Sequence, residues 1–360
     1  MHRILLRQIC NLKSKMECVM AVVVVGGGAI GLQVAGRLAL GGVTSALLAR
    51  PSSVDALATH PLQISTPTGT QQVQLTVAAS PADLREPFRH PALAVLGVKG
   101  YDTPSAITTL QALEPRLVLT LQNGIGNEEQ LVAAFGPTRV IAGAITTSVE
   151  VRDPTAVVIT KGGGVGLAPL DPATDLGPWL ATFTQAGFPV QRYADYRAMK
   201  WSKALLNMLG NAQAAILDLS VAQIYAHPRL LALDLRAARE TLAVMARMGV
   251  RPVNLPGYPA GTLALLARYL PTVALNPLLR QLVGGGRGGK EPSLLRDLRA
   301  GRTRSEGAYL YGAVAAEAAA RGVPAPVNTA LWRILGGIVC GESAWATYRG
   351  QPERLLAEMP

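Results

Sequence analysis

The stretch "AVVVVGGGAIGLQVAGRLALGGVTSALLAR", residues 21–50, decides the fold. It is long and apolar enough to raise three readings: a membrane anchor, a buried helix, or the phosphate-binding edge of a nucleotide site. A bilayer needs about 20 apolar residues, so length permits the first. The glycines argue against both helical readings, because each costs about 1 kcal/mol in a helix interior relative to Ala, and Arg37 would lie at membrane depth. Their spacing carries the alternative. Gly26, Gly28 and Gly31 form G-x-G-x-x-G directly after Val22, Val23, Val24 and Val25. A β-branched run of that length suits a parallel strand buried on both faces. Gly26 then permits the tight turn and Gly28 a close approach of backbone to a pyrophosphate, while Gly31 allows close packing of helix on strand. With Ala29 and Ile30 they form a turn whose helix, 29–40, points its first N–H groups at phosphate. Gly41 and Gly42 end that helix, and 43–49 is a second strand. Strand, turn, helix and strand together make the motif more specific than its glycines alone.

The end of the second strand selects the dinucleotide. An NAD site places an acid there for the ribose 2′-OH, and an NADP site offers Arg to the 2′-phosphate. Here Arg50 occupies the position and the first acid is Asp55. The expected cofactor is therefore NADPH/NADP+.

Composition narrows the class. The 360 residues are 49% hydrophobic, enough for a large core divided into two domains. Three cysteines imply no disulfide framework, and a reducing cytoplasmic location is expected. Four scattered histidines and no C-x-x-C spacing predict no metal site. The net charge of +11 concentrates in the first fifteen residues and in 287–304. The second segment lacks aromatics for base stacking, so an anionic cofactor or substrate is expected and a nucleic acid is not. Residues 1–19 are read as a non-structural extension, either a transit peptide or a start placed too early.

Along the chain, "LQIST" and "QQVQLTV" read as a hairpin, 92–99 and 116–124 as buried strands each leading into a helix, the second capped by Asn127, and 139–170 as several strands. From about 195 helical periods take over, at 196–217, 228–248, 262–269, 305–321 and 328–337, with loops at 249–261 and 284–289. The expected architecture is α/β: an N-terminal Rossmann-type dinucleotide-binding domain (20–193) followed by an all-α C-terminal domain (194–360).

In the first helix of the second half, Lys203, Asn207 and Asn211 recur every four residues and share one face. Buried, such groups cost several kcal/mol unless paired. The face is either a solvated polar stripe or a substrate cleft, with Lys203 as cation and proton donor. A carbonyl reductase must protonate the alkoxide that its hydride creates, and no histidine sits in a suitable motif.

At these residues the chain resembles the ketopantoate reductase (2-dehydropantoate 2-reductase) family. The likeness runs from Val22 to about Leu335 through "GGGAIG" with Arg50, "LGVKGYDT", "LTLQNGIGNEE", "KWSKALLNMLGN" and "GGKEPSLLRDLRAGRTRSEGAYLYGAVAAEAAARGVPAPVNTAL". It implies Lys203 as catalytic general acid and Glu306 as the acid that binds the substrate's hydroxyl. It further implies Asn207, Asn211 and Ser293 as substrate contacts, Asn123 and Lys99 as cofactor contacts, Lys99 alongside Arg50 near the 2′-phosphate, and a possible homodimer. The implied reaction is reduction of ketopantoate to pantoate, toward pantothenate and coenzyme A. Two departures stand out. Ala308 and Tyr311 replace an Asp and an Asn of the family pattern, and one extra residue separates Ser293 from Glu306, so that Ser305 occupies the position counted from Ser293. These leave another 2-keto acid as an alternative substrate. A non-catalytic NADP(H)-binding regulator is the reading from another class, and it would need neither Lys203 nor Glu306.

Overall fold

The computed structural model describes residues 20–279 and 291–360. The expectations for residues 1–19 and for the loop at 284–289 lie outside the described residues.

The valine run forms β1 (Val22–Val25), buried at every position. It lies between β2 (Ser45–Leu48) and β6 (Leu93–Leu96), parallel to both. A strand with two buried faces has no use for a polar side chain, which is why its sequence does not alternate. Helix α1 (Ala29–Leu40) and then α2 (Pro51–Thr59) flank β2. Next come β3 (Leu62–Thr66), β4 (Gly69–Val73) and β5 (Thr76–Ala78), then β6, α3 (Thr103–Leu113), β7 (Leu117–Thr120) and α4 (Asn127–Phe135). β8 (Val140–Ile145), β9 (Ser148–Asp153), β10 (Ala156–Lys161), β11 (Val165–Pro169), α5 (Gly177–Gln185) and β12 (Val190–Arg192) complete this half. The main sheet runs β12-β11-β8-β7-β6-β1-β2-β5, parallel except where β11 meets β8. The expected hairpin is β3 with β4, but the end of its second run, β5, leaves to join the main sheet beside β2. β3 and β4 instead build a second sheet, β4-β3-β10-β9. That sheet seats on α1, where a Cβ on Gly36 would lie 2.5 Å from Ile64 Cδ1.

The glycine turn is set by bare backbone. Gly26 has φ +114°, and a Cβ on Gly31 would fall 1.7 Å from the Gly26 carbonyl oxygen. A Cβ on Gly97, at the end of β6, would fall 3.2 Å from Gly31 Cα. Gly28 differs, since a Cβ there would meet nothing within 4 Å.

After β12 the chain is helical: α6 (Tyr196–Met208), α7 (Asn211–Leu217), α8 (Val221–Ala226), α9 (Pro228–Arg247), α10 (Ala260–Tyr269), α11 (Thr272–Leu279), α12 (Ser293–Arg299), α13 (Tyr311–Ala320), α14 (Pro326–Val339) and α15 (Pro352–Ala357). They share one apolar core, into which Leu231, Val244, Val314 and Leu335 are fully buried. Three local expectations are corrected. The helix read over 196–217 is two helices, because Gly210 takes φ +68°. The buried Asp234 carboxylate accepts the Gly210 N–H at 2.7 Å, while the Tyr311 hydroxyl donates to the Met208 carbonyl and accepts the Ala212 N–H at 3.1 Å. The helix read over 305–321 opens with a separate 3₁₀ turn, Glu306–Tyr309. Asn127 is the first residue of α4 and not its cap, which is Gly126; its side-chain amide donates to the Asn123 carbonyl at 3.0 Å.

Gly31→Ala and Gly28→Ala should therefore separate stability from binding. The first forces the turn apart and should cost about 1–3 kcal/mol or more; the second meets open space and should change stability by less than about 0.5 kcal/mol. Urea melts of both variants check this, and equal destabilisation would contradict the packing described.

Candidate active site

Three groups of residues meet where the carboxyl ends of β1, β6 and β7 face the helical half. The first is the glycine turn. No side chain caps α1 and its first turn carries no acid, so its leading N–H groups are open to an anion. Gly28 is exposed, and Ala29 and Ile30 are half-buried beside it. Arg50 is exposed at the junction of β2 and α2. A chain of phosphates fits this edge, because Gly28 leaves room for it and no carboxylate opposes it at α1.

The second group surrounds Lys99. Gly97 brings the end of β6 against Gly31, and the chain reaches Lys99 two residues later. Its ammonium donates to Glu306 Oε2 at 2.6 Å and to Asp297 Oδ2 at 2.9 Å. Those carboxylates are 5% and 8% exposed, against 30% for the lysine side chain. Burial opposes the Lys99 charge, but Glu306 and Asp297 together outweigh it and hold its pKa above the ordinary lysine value. The expectation set Lys99 alongside Arg50 near a 2′-phosphate; here the ammonium bonds to two carboxylates of the helical half. β1 lies between the strands that carry the two residues, and two nearby carboxylates attract the ammonium to the helical half. Ser305, the other position reached by counting, uses its hydroxyl to accept the Gly307 N–H at 3.0 Å; the carboxylate in the cluster is Glu306. Beside this cluster the charges reverse. Arg304 of the helical half donates to Asp102 Oδ1 at 2.8 Å and lies 4.5 Å from the Tyr101 ring centroid.

The third group lies along α6. Lys200 donates to the Gln122 carbonyl at 2.6 Å and pairs with Glu128 at 2.8 Å, both side chains being almost wholly buried. Burial pushes the Glu128 carboxyl above the usual range, against the pull of Lys200. Two turns further on, Asn207 donates to Asn123 Oδ1 at 3.1 Å. Lys203 stands between these two anchors, three residues after one and four before the other. It therefore shares their side of the helix and is half-buried. Across the break after α6, Asn211 donates to the Asn207 carbonyl at 3.0 Å and approaches Ser293 Oγ at 3.5 Å, while the Leu294 N–H reaches Asn211 Oδ1 at 3.3 Å. Asn123, Asn207, Asn211 and Ser293 thus form one hydrogen-bonded line from the sheet into the helical half. The regular i, i+4, i+8 face did not survive, but its residues came together through the break.

Sequence reasoning missed Lys200, Glu128, Asp297 and Tyr309. The Tyr309 carbonyl accepts the Ile125 N–H at 2.9 Å, and a Cβ on Gly124 would fall 2.5 Å from Tyr309 Cβ. The signal available for Lys200 was a charged residue inside the apolar run "AMKW". Asp297 offered none beyond its place in a basic segment. Among the described residues no helix is long and apolar enough to cross a membrane.

Known proteins share this arrangement. The family Ketopantoate reductase PanE/ApbA matches residues 22–172, and Ketopantoate reductase PanE/ApbA C terminal matches 195–339. The 2-dehydropantoate 2-reductase of Pyrococcus horikoshii is 26% identical over 320 residues, covering 88% of this chain and 96% of that one. The PanE/ApbA family ketopantoate reductase from Ralstonia eutropha JMP134 superposes with a TM-score of 0.74 at 26% identity, covering 90% and 99%. A ternary structure of D-mandelate dehydrogenase with NADH and anilino(oxo)acetate superposes with a TM-score of 0.75 at 18% identity, covering 89% and 99%, a likeness of fold. With both halves matched and the glycine turn facing a helical half, this chain belongs to the ketopantoate reductase family, whose members reduce 2-keto acids with a nicotinamide dinucleotide.

Proposed function

We propose that this protein reduces ketopantoate to pantoate with NADPH, in a cleft between the two halves. The observation that carries the reading is the Asn207–Asn123 hydrogen bond, 3.1 Å long. It ties the Lys203 side of α6 to the carboxyl end of β7, beside which a dinucleotide on the glycine turn would extend.

The residues fit the cofactor as described: α1's open N-terminus for the pyrophosphate and Arg50 for a 2′-phosphate. Bound there, NADPH supplies the hydride. This chain's residues do the rest. Asn207, Asn211 and Ser293 offer amide and hydroxyl groups that orient the keto acid. Lys203 aims an ammonium at the 2-oxo oxygen, stabilises the charge that develops on it, and delivers the proton. Glu306 accepts the hydrogen bond of the substrate's hydroxyl. Tyr311, buried where the family pattern has Asn, supports a second reading: a different 2-keto acid on the same machinery.

Lys203→Ala should lower kcat by about 10³-fold with the best keto acid while the NADPH Kd stays within about threefold, since acid and charge are lost but the dinucleotide edge is not touched. Steady-state kinetics with cofactor titration decide it; more than about a tenth of wild-type kcat would return Lys203 to a solvated stripe.

Arg50 yields the cofactor prediction. Charge-assisted hydrogen bonds to a 2′-phosphate should give NADPH a roughly 10–100-fold advantage in kcat/KM over NADH, largely erased in Arg50→Ala. Equal use of both cofactors by the wild type would refute the assignment.

A further inference from the structure

We propose that Lys99 is a positioning residue for Glu306: held by Asp297, its ammonium fixes the Glu306 carboxylate in place, turned toward the substrate cleft. The inference rests on the reading of Glu306 as the acid that meets the substrate's hydroxyl.

Three observations support it. First, one cation serves two acids. Lys99 reaches Glu306 at 2.6 Å and Asp297 at 2.9 Å, and both carboxylates are more than nine-tenths covered. Asp297 also meets a second cation, Arg302, at 3.4 Å, so without the Lys99 ammonium it is Glu306 that loses the cation holding it. Its carboxylate would turn away, because an uncompensated buried charge is costly. A displaced Glu306 is a poor acceptor for a substrate hydroxyl.

Second, the cation and the acids come from different halves. Lys99 follows β6 in the sheet domain. Asp297 lies on α12 and Glu306 opens the 3₁₀ turn before α13. Glu306 thus acquires this partner only when the halves are together, where the cofactor edge faces the keto acid. The Arg304–Asp102 pair, of opposite sense, crosses the same boundary at 2.8 Å and holds the loop after Lys99 in register.

Third, Asp297 links this pair to the substrate groups. It sits on the helix that begins at Ser293, whose hydroxyl approaches Asn211 and whose next N–H reaches the same amide. The anchor of Lys99 and the hydrogen-bonding line therefore move as one element.

The test compares two substrates that differ only in the hydroxyl: ketopantoate and 3,3-dimethyl-2-oxobutanoate. Glu306→Gln, Lys99→Met, Lys99→Arg and the Lys99→Met/Glu306→Gln double variant are assayed with NADPH, with Lys99→Gln replacing Lys99→Met should that variant not fold. Lys99→Met should raise KM for ketopantoate by about tenfold or more, as Glu306→Gln does, and change KM for the hydroxyl-free acid by less than about threefold. Lys99→Arg, which keeps the charge, should stay within about threefold of wild type. The double variant should be no worse than Glu306→Gln alone, because the two changes remove one interaction. A rise in KM for NADPH with ketopantoate KM unchanged would make Lys99 a cofactor contact and overturn the inference. So would multiplicative effects in the double variant. If Glu306→Gln raises KM and Lys99→Met does not, the positioning role alone fails. If Glu306→Gln leaves KM unchanged, the substrate reading of Glu306 fails and the inference falls with it.

Discussion

The site depends on a contact between bare backbones. Gly31 rests on the Gly26 carbonyl, and the end of β6 comes against Gly31 at Gly97. No side chain fits between them. This brings α1, β1 and β6 close enough to share one carboxyl edge, and it leaves the first N–H groups of α1 facing open space at Gly28. It also fixes where β6 releases the chain. Lys99, two residues beyond Gly97, emerges toward the helical half, where Glu306 and Asp297 receive it. One steric constraint therefore builds the anion-binding edge and delivers the cation that bridges the two halves.

The boundary between the halves is held by polar groups in fixed directions. Lys200 enters the sheet domain to reach the Gln122 carbonyl and Glu128, Asn207 meets Asn123, and the Tyr309 carbonyl takes the Ile125 N–H. Pairs as buried as Lys200 and Glu128 add little net stability, since desolvation offsets most of their attraction. Their value lies in register. Each polar group has partners fixed on the sheet domain, so α6 can meet the sheet in one rotation, and that rotation sets the side on which Lys203 lies.

Local physics was legible in the sequence, and distant partners were not. The glycine turn could be read because its spacing, the strand before it and the helix after it all lie in one short stretch of chain. The shift from strands to helices near residue 195 could be read from periodicity. The break at Gly210 could not, because a lone glycine is tolerated inside helices and the groups that satisfy the opened backbone, Asp234 and Tyr311, are 24 and 99 residues away. The acid partners of Lys99 could not be read, since nothing in its own motif reveals carboxylates 198 and 207 residues later. β5 looked like the end of a hairpin because alternation records a half-buried strand without naming the sheet it joins. Lys203, Asn207 and Asn211 kept their neighbourhood even though the helix beneath them broke, because the residues at the break are themselves anchored.

The central claim is that the cleft between the glycine turn and α6 transfers a hydride to a 2-keto acid. The most direct measurement is NADPH oxidation at 340 nm by the purified chain across a panel of 2-keto acids that includes ketopantoate, pyruvate, 2-oxobutanoate and phenylglyoxylate. The account predicts turnover with the highest kcat/KM for ketopantoate. NADPH binding without oxidation in the presence of any 2-keto acid would contradict it and leave a dinucleotide-binding protein without this chemistry.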